Sequence, residues 1–434
     1  MSTLPAVAFT ETPAGVICLL SVLLAPLAIA GLALINTGLG RSRSAAHAML
    51  SSLCATAIGF IVYVVCGFSF AGYSDLPSHV FVLGGRPWNW IGAAPVFLRD
   101  LNSFGAQASV AVLLQMFGVG IAAQIPLGAA SERWRLGASC VSTAVFAGIT
   151  FPLFAHWTWG GGWLTQLGTN YRLGAGFLDA GGAGTIHVAG GLTALAIVWT
   201  LGARTDKYSD EDIPAALPGH NLVFVLFGCF LAWLGLLGLN SAGAILFNHA
   251  GSGATAIVIL NVTISACASA LAAFAITGVR FGRPDASLTA NGWVAGLVAT
   301  SSAAALLPPA AALLIGGVAG ALVVSVVDWL ELRLRVDDPT GAVAVHAVAG
   351  IWGLIAAGIF ARISGERQWV AQLVGIATLI GLVLPWSYCV NWVLNCVHRQ
   401  RIDPEGERMG MDLSELGAGA YPEAVTRSDD YMPR

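Results

Sequence analysis

Charged residues are scarce in this sequence. Aspartate, glutamate, lysine and arginine make up 10% of its 434 residues, whereas a soluble domain typically has about 25%. Hydrophobic residues make up 56%. Apolar runs of roughly 20 residues, the length that a helix needs to cross a bilayer core, recur along the whole chain. The composition excludes an ordinary soluble domain and predicts an all-α polytopic protein embedded in a lipid bilayer.

The sequence also lacks the residue groups on which most enzymes depend. It shows no activated nucleophile, no cofactor-binding loop and no cluster of metal ligands, and its net charge of −3 does not indicate a nucleic-acid partner. The eight cysteines lie in or beside apolar runs without paired spacing, so they are interpreted as small core residues. We therefore expect no enzyme activity, no cofactor and no metal site.

No basic residue precedes Arg41, so the first apolar run does not resemble a secretory signal and is expected to be a membrane span. Hydropathy predicts eleven transmembrane helices. Their approximate ranges are 13–36, 45–71, 108–130, 136–157, 184–203, 221–245, 253–278, 287–307, 310–332, 342–362 and 369–398. Residues 1–398 would form the transmembrane domain, and residues 399–434 a cytoplasmic C-terminal tail.

The distribution of basic residues predicts the orientation. The paired basic residues occupy alternate loops at Arg41/Arg43, Arg133/Arg135, Arg204/Lys207, Arg280/Arg283 and Arg333/Arg335, and Arg399/Arg401 follow the last span. By the positive-inside rule these loops are cytoplasmic. With an odd number of spans, the N-terminus is then outside and the tail inside the plasma (cytoplasmic) membrane.

One motif occurs twice, about 160 residues apart. Asp179–His187 and Asp338–His346 each place an acid eight residues before a histidine that lies inside an apolar run. Each motif begins the fifth span of a five-span half, over about 13–203 and 221–362, and 369–398 is the last helix. The two halves have opposite topology. Inverted repeats of this kind place a functional site near the bilayer midplane, at the interface between the repeats.

The two histidines are the main candidates for a pore site. An ionisable residue within a membrane span is costly and is a functional-site hypothesis by default. Burial in an apolar pore favours neutral imidazole, which has one donor and one acceptor and can bind a small amine or pass a proton. The alternative is that His187 and His346 are unrelated packing residues, each bonded to a backbone carbonyl.

The residues around these histidines have structural as well as functional interpretations. Asp179 and Asp338 precede their helices, where an aspartate caps free N–H groups. Direct contact with a cation is the other interpretation. Trp159 precedes a glycine run on the predicted outer side. An aromatic belt at the membrane interface would explain a tryptophan at this position. A role in presenting the ring face to an entering cation would explain it equally well.

Several motifs together resemble the ammonium transporter/Rhesus family over residues 13–422. They are WGGG at 159–162, DAGGAGTIH at 179–187, HN at 220–221, NGWVAGLV at 291–298, VDDPTGAVAVHAVAGIWG at 336–353 and MGMDLSELGAGAYP at 409–422. The first histidine motif is closer to the Rhesus branch, and the second, with the tail, to the bacterial ammonium transporters. The resemblance implies an eleven-span protomer in a homotrimer, with one pore in each protomer.

The resemblance also implies roles for individual residues. His187 and His346 correspond to the family's twin pore histidines. Trp159 corresponds to the tryptophan that contacts ammonium in the outer vestibule, and Asp179 to a largely structural aspartate near that recruitment site. In the implied mechanism ammonium is recruited and loses its proton, and ammonia and the proton cross by way of the histidine pair.

Four positions depart from the family at the pore entrance. Gly118 and Leu239 stand where the family has two stacked gate phenylalanines, Leu236 stands at a vestibule tryptophan, and Gly243 at a hydroxyl residue that contacts the cation. Phe117 could replace the first gate ring only if the register shifts, because one residue turns a helix side chain by about 100°. These departures predict a wider entrance that attracts cations less strongly.

The altered entrance keeps alternatives to ammonium transport open. One is transport of a bulkier amine or organic cation, such as a methylated or quaternary ammonium compound. Another is an ammonium sensor without net flux. In the tail, Leu416 and Ala418 replace the His and Glu that are usual where the tail signals to the pore. This weakens the case for a PII-type regulatory partner.

Overall fold

Ten long apolar helices dominate the fold. The structure is a computed structural model that describes residues 9–74, 76–209 and 213–421, and within these ranges ten helices are long and apolar enough to cross a membrane. They are α1 (Pro13–Leu39), α2 (Ser42–Ala71), α3 (Ala106–Ala129), α4 (Leu136–Trp159), α5 (Ala183–Leu201), α6 (Leu222–Phe247), α7 (Ala254–Phe281), α9 (Pro309–Leu334), α10 (Val343–Phe360) and α11 (Gln368–Val397). The expectation of a polytopic helical protein is confirmed.

The eighth predicted span is shorter than expected. Helix α8 covers Ala286–Thr300, and its 15 residues would extend about 22 Å at 1.5 Å per residue. The predicted range 287–307 instead continues into a turn and a short 3₁₀ helix at Ala304–Leu306. Pro309 then opens α9 at a position where a proline costs no hydrogen bond.

Local sequence explains the boundary between α7 and α8. Gly282 follows α7 with a φ of 72°, a left-handed conformation that glycine adopts without strain and that commonly ends helices. Asp285 then caps α8, because its carboxylate accepts a 2.8 Å hydrogen bond from the Leu288 N–H. The chain can therefore reverse direction within four residues.

Small residues allow close contact between the helices. A Cβ added to Gly316 or Gly320 of α9 would collide with the backbone of Ser265 or Ser269 of α7, whereas Gly317 faces open space. Helices in lipid gain stability from such close packing because lipid provides no hydrophobic drive between them. Gly316 and Gly320 are therefore contact positions between two helices.

A β-hairpin interrupts the helical fold in the loop between α2 and α3. Strands β1 (Ser78–Leu83) and β2 (Arg86–Gly92) pair antiparallel, with Leu83 opposite Arg86. Gly84 and Gly85 form the turn with φ values of 60° and 75°, as a two-residue hairpin turn requires. The prediction of an all-α fold is wrong for this segment, because the Gly-Gly pair lies between residues with high β-propensity.

The loops with paired arginines meet at one end of the helix bundle. Arg204 donates to Glu132 at 2.8 Å and to Asp337 at 2.9 Å, and Arg133 donates to the Asp337 carbonyl at 2.6 Å. Burial alone raises the pKa of Asp337, but the guanidinium groups of Arg133 and Arg204 more than offset this and hold the pKa at about 2. This buried ion-pair cluster fixes three loops against one another.

The C-terminal tail packs against the same end of the bundle. The Asp412 carboxylate accepts hydrogen bonds from the N–H groups of Ala46 (3.2 Å) and His47 (2.8 Å), near the start of α2. Glu415 contacts His47 Nε2 at 2.8 Å and accepts a 2.8 Å bond from the Leu136 N–H, the first residue of α4. The tail thus supplies acidic caps to two long helices, where the helix dipole favours negative charge.

A buried glutamate anchors the start of the tail. Helix α12 (Pro404–Met409) carries Glu407, whose side chain is 1% exposed. Its carboxylate accepts hydrogen bonds from the Thr205 N–H (2.5 Å) and from Arg401 (2.8 Å). Met411, just beyond this helix, is also fully buried. The first part of the predicted tail, through residue 421, is therefore a packed part of the fold, and residues 422–434 lie outside the described ranges.

Candidate functional site

The acid-histidine motifs form matched wide turns at the starts of α5 and α10. Both histidines lie in π-helical turns, Ala183–Val188 and Val343–Val348. The Asp179 carboxylate accepts from the Gly184 N–H at 2.9 Å, and the Asp338 carboxylate accepts from the Val343 N–H at 2.8 Å. Each bond reaches five residues ahead. The motif is therefore a side-chain cap that stabilises a wide first turn, a feature frequent at functional sites.

The two histidines meet in the interior. Their Nδ1 atoms are 3.1 Å apart, and the rings are nearly parallel, with centroids 5.2 Å apart and 13° between the planes. His187 is 0% exposed and His346 is 4% exposed. A hydrogen bond between two Nδ1 atoms needs one donor and one acceptor, so at most one of the two Nδ1 atoms carries a proton. The pair can hold one shared proton in either of two arrangements.

The side-chain and backbone oxygens of Asp179 all accept hydrogen bonds from other residues of the protein. Besides the Gly184 N–H, its carboxylate accepts from the Thr185 N–H and the Thr185 hydroxyl, both at 2.7 Å. The Thr185 hydroxyl also contacts the Thr158 hydroxyl at 2.9 Å. The Asp179 backbone carbonyl accepts from the Trp159 indole N–H at 2.7 Å. These contacts favour the structural interpretation of Asp179, which positions Trp159.

Trp159 is covered by an aromatic ring that the sequence analysis missed. The Phe247 ring stacks on Trp159 with centroids 4.7 Å apart and 3° between the planes, and Trp159 is only 4% exposed. Tyr73 packs nearby, 6.2 Å from Phe247 between centroids. The sequence contains a signal for this contact. Phe247 lies four residues after Gly243 on α6, so the two residues lie on the same face of the helix.

The four positions that the resemblance assigns to a gate and a vestibule are buried in the structure. A Cβ at Gly118 would lie 3.2 Å from Ile186 Cδ1 and 3.4 Å from Phe151 Cζ, and a Cβ at Gly243 would collide with the Ala180 carbonyl oxygen. The two remaining altered positions, Leu236 and Leu239, are each 2% exposed. Neighbouring groups therefore occupy the space beside Gly118 and Gly243, and Leu236 and Leu239 are themselves buried.

Phe117 does not take the place of the first gate phenylalanine. Its ring packs edge-on against Phe60 of α2, with centroids 5.7 Å apart. The space beside Gly118 is bordered by Ile186 and Phe151 instead. Phe117 therefore packs against α2 and not beside Ile186 and Phe151.

Known proteins resemble this chain over most of its length. A sequence model described as the Ammonium Transporter Family matches residues 16–421. Ammonium transporter Amt2 of Archaeoglobus fulgidus is 33% identical over 415 residues, which cover 91% of this chain and 85% of that protein. Putative ammonium transporter sll1017 of Synechocystis is 32% identical over 396 residues, covering 89% and 84%.

Solved structures share the fold. A structure described as Sensor Amt Protein superposes with a TM-score of 0.83 at 27% identity, covering 92% of this chain and 97% of that chain. Candida albicans Mep2 superposes with a TM-score of 0.76 at 24% identity, covering 98% and 96%.

Proposed function

This chain belongs to the ammonium transporter family, and from that premise we propose that it carries ammonium or ammonia across the plasma membrane through a pore at His187 and His346. The observation that carries the proposal is the 3.1 Å contact between the two buried Nδ1 atoms. Two imidazoles in contact in an apolar interior can accept a proton at one end and release it at the other. The chain is a transporter rather than an enzyme.

The proposed mechanism begins at the outer vestibule. Ammonium meets the face of Trp159 once Phe247 moves aside, and an indole face attracts a cation. The ammonium ion is then deprotonated, and ammonia passes the histidine pair as a hydrogen-bonding partner while the proton moves through the imidazoles. Asp179 takes no proton in this scheme, because its oxygens already accept bonds from Gly184 and Thr185.

The proposed architecture counts α8 as an eleventh crossing. It includes inverted repeats over about 13–203 and 221–362, an external N-terminus and a homotrimeric assembly. The matched caps at Asp179 and Asp338, each followed by a π-helical turn with its histidine, support the repeat. The packing of the tail beside the paired arginines supports one shared, cytoplasmic side.

A sensor without net flux is the second candidate. The TM-score of 0.83 to a structure described as a sensor Amt protein favours it. A bulkier amine has less support, because the Phe247 ring covers Trp159 and Ile186 and Phe151 border the space at Gly118. A quaternary ammonium ion also has no N–H proton to lose to the pair.

Electrical recording from proteoliposomes tests the proposal. Purified wild-type protein should give a current with ammonium, a smaller one with methylammonium and none with tetramethylammonium. His187→Ala and His346→Ala should each abolish the ammonium current by removing half of the pair, whereas His398→Ala, at an exposed histidine, should preserve it. An ammonium current that survives both pore substitutions would contradict the proton relay. Binding of ammonium without flux would identify a sensor.

A further inference from the structure

We propose that His156, in the last turn of α4, is a positioning residue that takes up a proton and thereby ties the glycine run after Trp159 to the β-hairpin. The proton decides the orientation of one side-chain amide, that of Asn89, and through it one hydrogen bond to Gly161. The proton site itself does not depend on the proposed function. Its effect on transport rests on that function, because Trp159 is the residue proposed to meet ammonium.

The ring of His156 joins α4 to two other elements. Its Nδ1 is 2.8 Å from the carbonyl oxygen of Ala71, the last residue of α2, and its Nε2 is 2.9 Å from Oδ1 of Asn89 in β2. His156 is only 1% exposed. Buried polar groups are almost always paired, so these two contacts determine which ring nitrogens carry protons.

The orientation of the Asn89 amide is fixed by a third group. Its Nδ2 donates to the Gly161 carbonyl oxygen at 3.2 Å, and a carbonyl oxygen can only accept. The amide therefore presents Oδ1 to the His156 ring, and the Ala71 carbonyl on the other side is also only an acceptor. Both ring nitrogens must then donate, which only the imidazolium form can do. The arrangement is that of a protonated His156.

A neutral ring requires a different arrangement of the same groups. Its Nδ1–H can still donate to the Ala71 carbonyl, but its Nε2 then has a lone pair and needs a donor. Asn89 supplies one if its amide turns over and places Nδ2 against the ring. That turn directs Oδ1 at the Gly161 carbonyl, so two acceptors face each other. The hydrogen bond between Asn89 and Gly161 therefore exists only when His156 is protonated.

Two opposing effects act on the charge of His156. Burial disfavours the imidazolium form, whereas hydrogen bonds to two acceptors favour it. Among the described residues, hydrogen bonds join the ring to no titratable side chain. In the hairpin, His79 is exposed and Arg86 lies over the Tyr171 ring, 4.3 Å from its centroid. The charge therefore depends on the proton concentration and on the two acceptors, and not on an ion pair.

The hairpin stays attached to α4 in both forms. The Trp157 indole N–H donates to the Trp90 carbonyl at 2.7 Å, and the Trp163 N–H donates to the Asn89 carbonyl at 2.9 Å. Neither bond involves the ring of His156. The proton therefore changes the hold on the glycine run and does not detach the hairpin.

The glycine run follows Trp159 directly. The Gly160 N–H donates to the His156 carbonyl at 3.1 Å, whereas the Gly161 carbonyl is held by the Asn89 side chain. Gly161 has a φ of 75°, and a Cβ added there would meet nothing within 4 Å. The peptide of Gly161 thus has room to move once Asn89 releases it, and Trp159 is then held less firmly.

Solid-state nitrogen NMR of histidine-labelled protein in lipid bilayers tests the proton site. His156→Gln identifies the signal of this ring by its loss. Between about pH 8 and about pH 5, the range in which histidines change charge, the signal should change from one protonated nitrogen to two. A ring that stays neutral, or stays charged, over this whole range would overturn the proposal.

Two substitutions of Asn89 should move the midpoint of this titration in opposite directions. Asn89→Asp should raise it, because a carboxylate stabilises the imidazolium ion, and Asn89→Ala should lower it, because one acceptor is lost. His79→Gln, at an exposed histidine of β1, is the control and should leave the midpoint unchanged. Misfolding cannot produce shifts of opposite sign. Equal midpoints in Asn89→Asp and Asn89→Ala would overturn the role of the amide.

The pH profile of the ammonium current in proteoliposomes tests the positioning role. From about pH 8 to about pH 5, the wild-type KM for ammonium should fall roughly two- to tenfold, the factor that one hydrogen bond contributes. His156→Gln should lose this change, and His79→Gln should keep it. Identical profiles in the wild type and His156→Gln would overturn the positioning role. A wild type without ammonium current would overturn the proposed function and the effect on transport, but not the proton site.

Discussion

The ring of Phe247 covers one face of Trp159. The two rings are nearly parallel and 4.7 Å apart, so the indole face that would attract a cation is already occupied. Phe247 is held in an aromatic group with Tyr73, whose hydroxyl donates to the Leu246 carbonyl at 3.0 Å. The aromatic ring that stacks on Trp159 therefore comes from the end of α6 and not from positions 118 and 239.

Removing this ring should relax selectivity. We expect Phe247→Ala to raise the ratio of methylammonium current to ammonium current by about tenfold or more, because a packed site discriminates one methyl group by about 1–3 kcal/mol, or roughly 10–200-fold. The measurement is the ratio of the two currents in proteoliposomes. Phe227→Ala, at a phenylalanine of the same helix that is 55% exposed, is the control. An unchanged ratio in Phe247→Ala would exclude a role for this ring in selectivity.

At the scale of elements, the stability of the first turn of α5 depends on Asp179. Asp179→Ala leaves the N–H groups of Gly184 and Thr185 buried and unpaired, which should cost about 1–3 kcal/mol each in unfolding free energy. Asp285→Ala removes an ordinary cap at the less buried start of α8 and should cost about 1 kcal/mol. Thermal unfolding of both variants in detergent compares the costs. A smaller loss for Asp179→Ala would be inconsistent with its capping role.

Much of the helical framework could be predicted from the sequence. The long apolar runs predicted α11, which covers Gln368–Val397 against an expected 369–398, because length and hydropathy alone determine such a segment. The Asp-x7-His spacing identified both histidine turns. The shortness of α8 was not predictable in the same way, since Ala303–Leu307 remains apolar where the helix has already ended.

The contacts between distant elements could not be predicted from the sequence. The stack of Phe247 on Trp159 joins the ends of α6 and α4, and the caps from Asp412 and Glu415 join the tail to the starts of α2 and α4. Hydropathy says nothing about which helix ends lie together. Such contacts depend on the tertiary arrangement of the helices. The burial that strengthens these contacts depends on it too.

At the scale of the whole molecule, the buried cluster around Asp337 links loops from both halves of the chain, and it should respond to acid. The folded pKa of about 2 is below the value of about 3.9 expected in the unfolded chain. The lowered pKa of Asp337 therefore contributes roughly 2–3 kcal/mol to the free energy of unfolding. This contribution is present above pH 4 and is lost as the pH falls towards 2.

Thermal unfolding at pH 7 and pH 3 measures this contribution. Asp337→Asn should lower the unfolding temperature at pH 7 and show a smaller further fall at pH 3 than the wild type. Asp328→Asn provides the control, because the Asp328 side chain is 28% exposed where it pairs with Arg280, and surface pairs contribute little. Equal sensitivity to acid in the wild type and Asp337→Asn would rule out Asp337 as the responsible group.

The contact between the two imidazole Nδ1 atoms, 3.1 Å apart, would leave the histidine pair in a different state after each turnover of the proposed proton relay. Only one of these atoms holds the bridging proton, so each proton that hops along the pair leaves the two rings with their tautomers exchanged. The hydrogen bond between the two Nδ1 atoms then has its donor and acceptor exchanged, so a second proton cannot follow in the same direction. The pair must reset, by ring rotation or by exchange with a passing amine, before it conducts again. In the proposed relay, the histidine pair would therefore alternate between a loaded and a spent form, and the transport rate would depend on the reset as well as on the passage of the substrate.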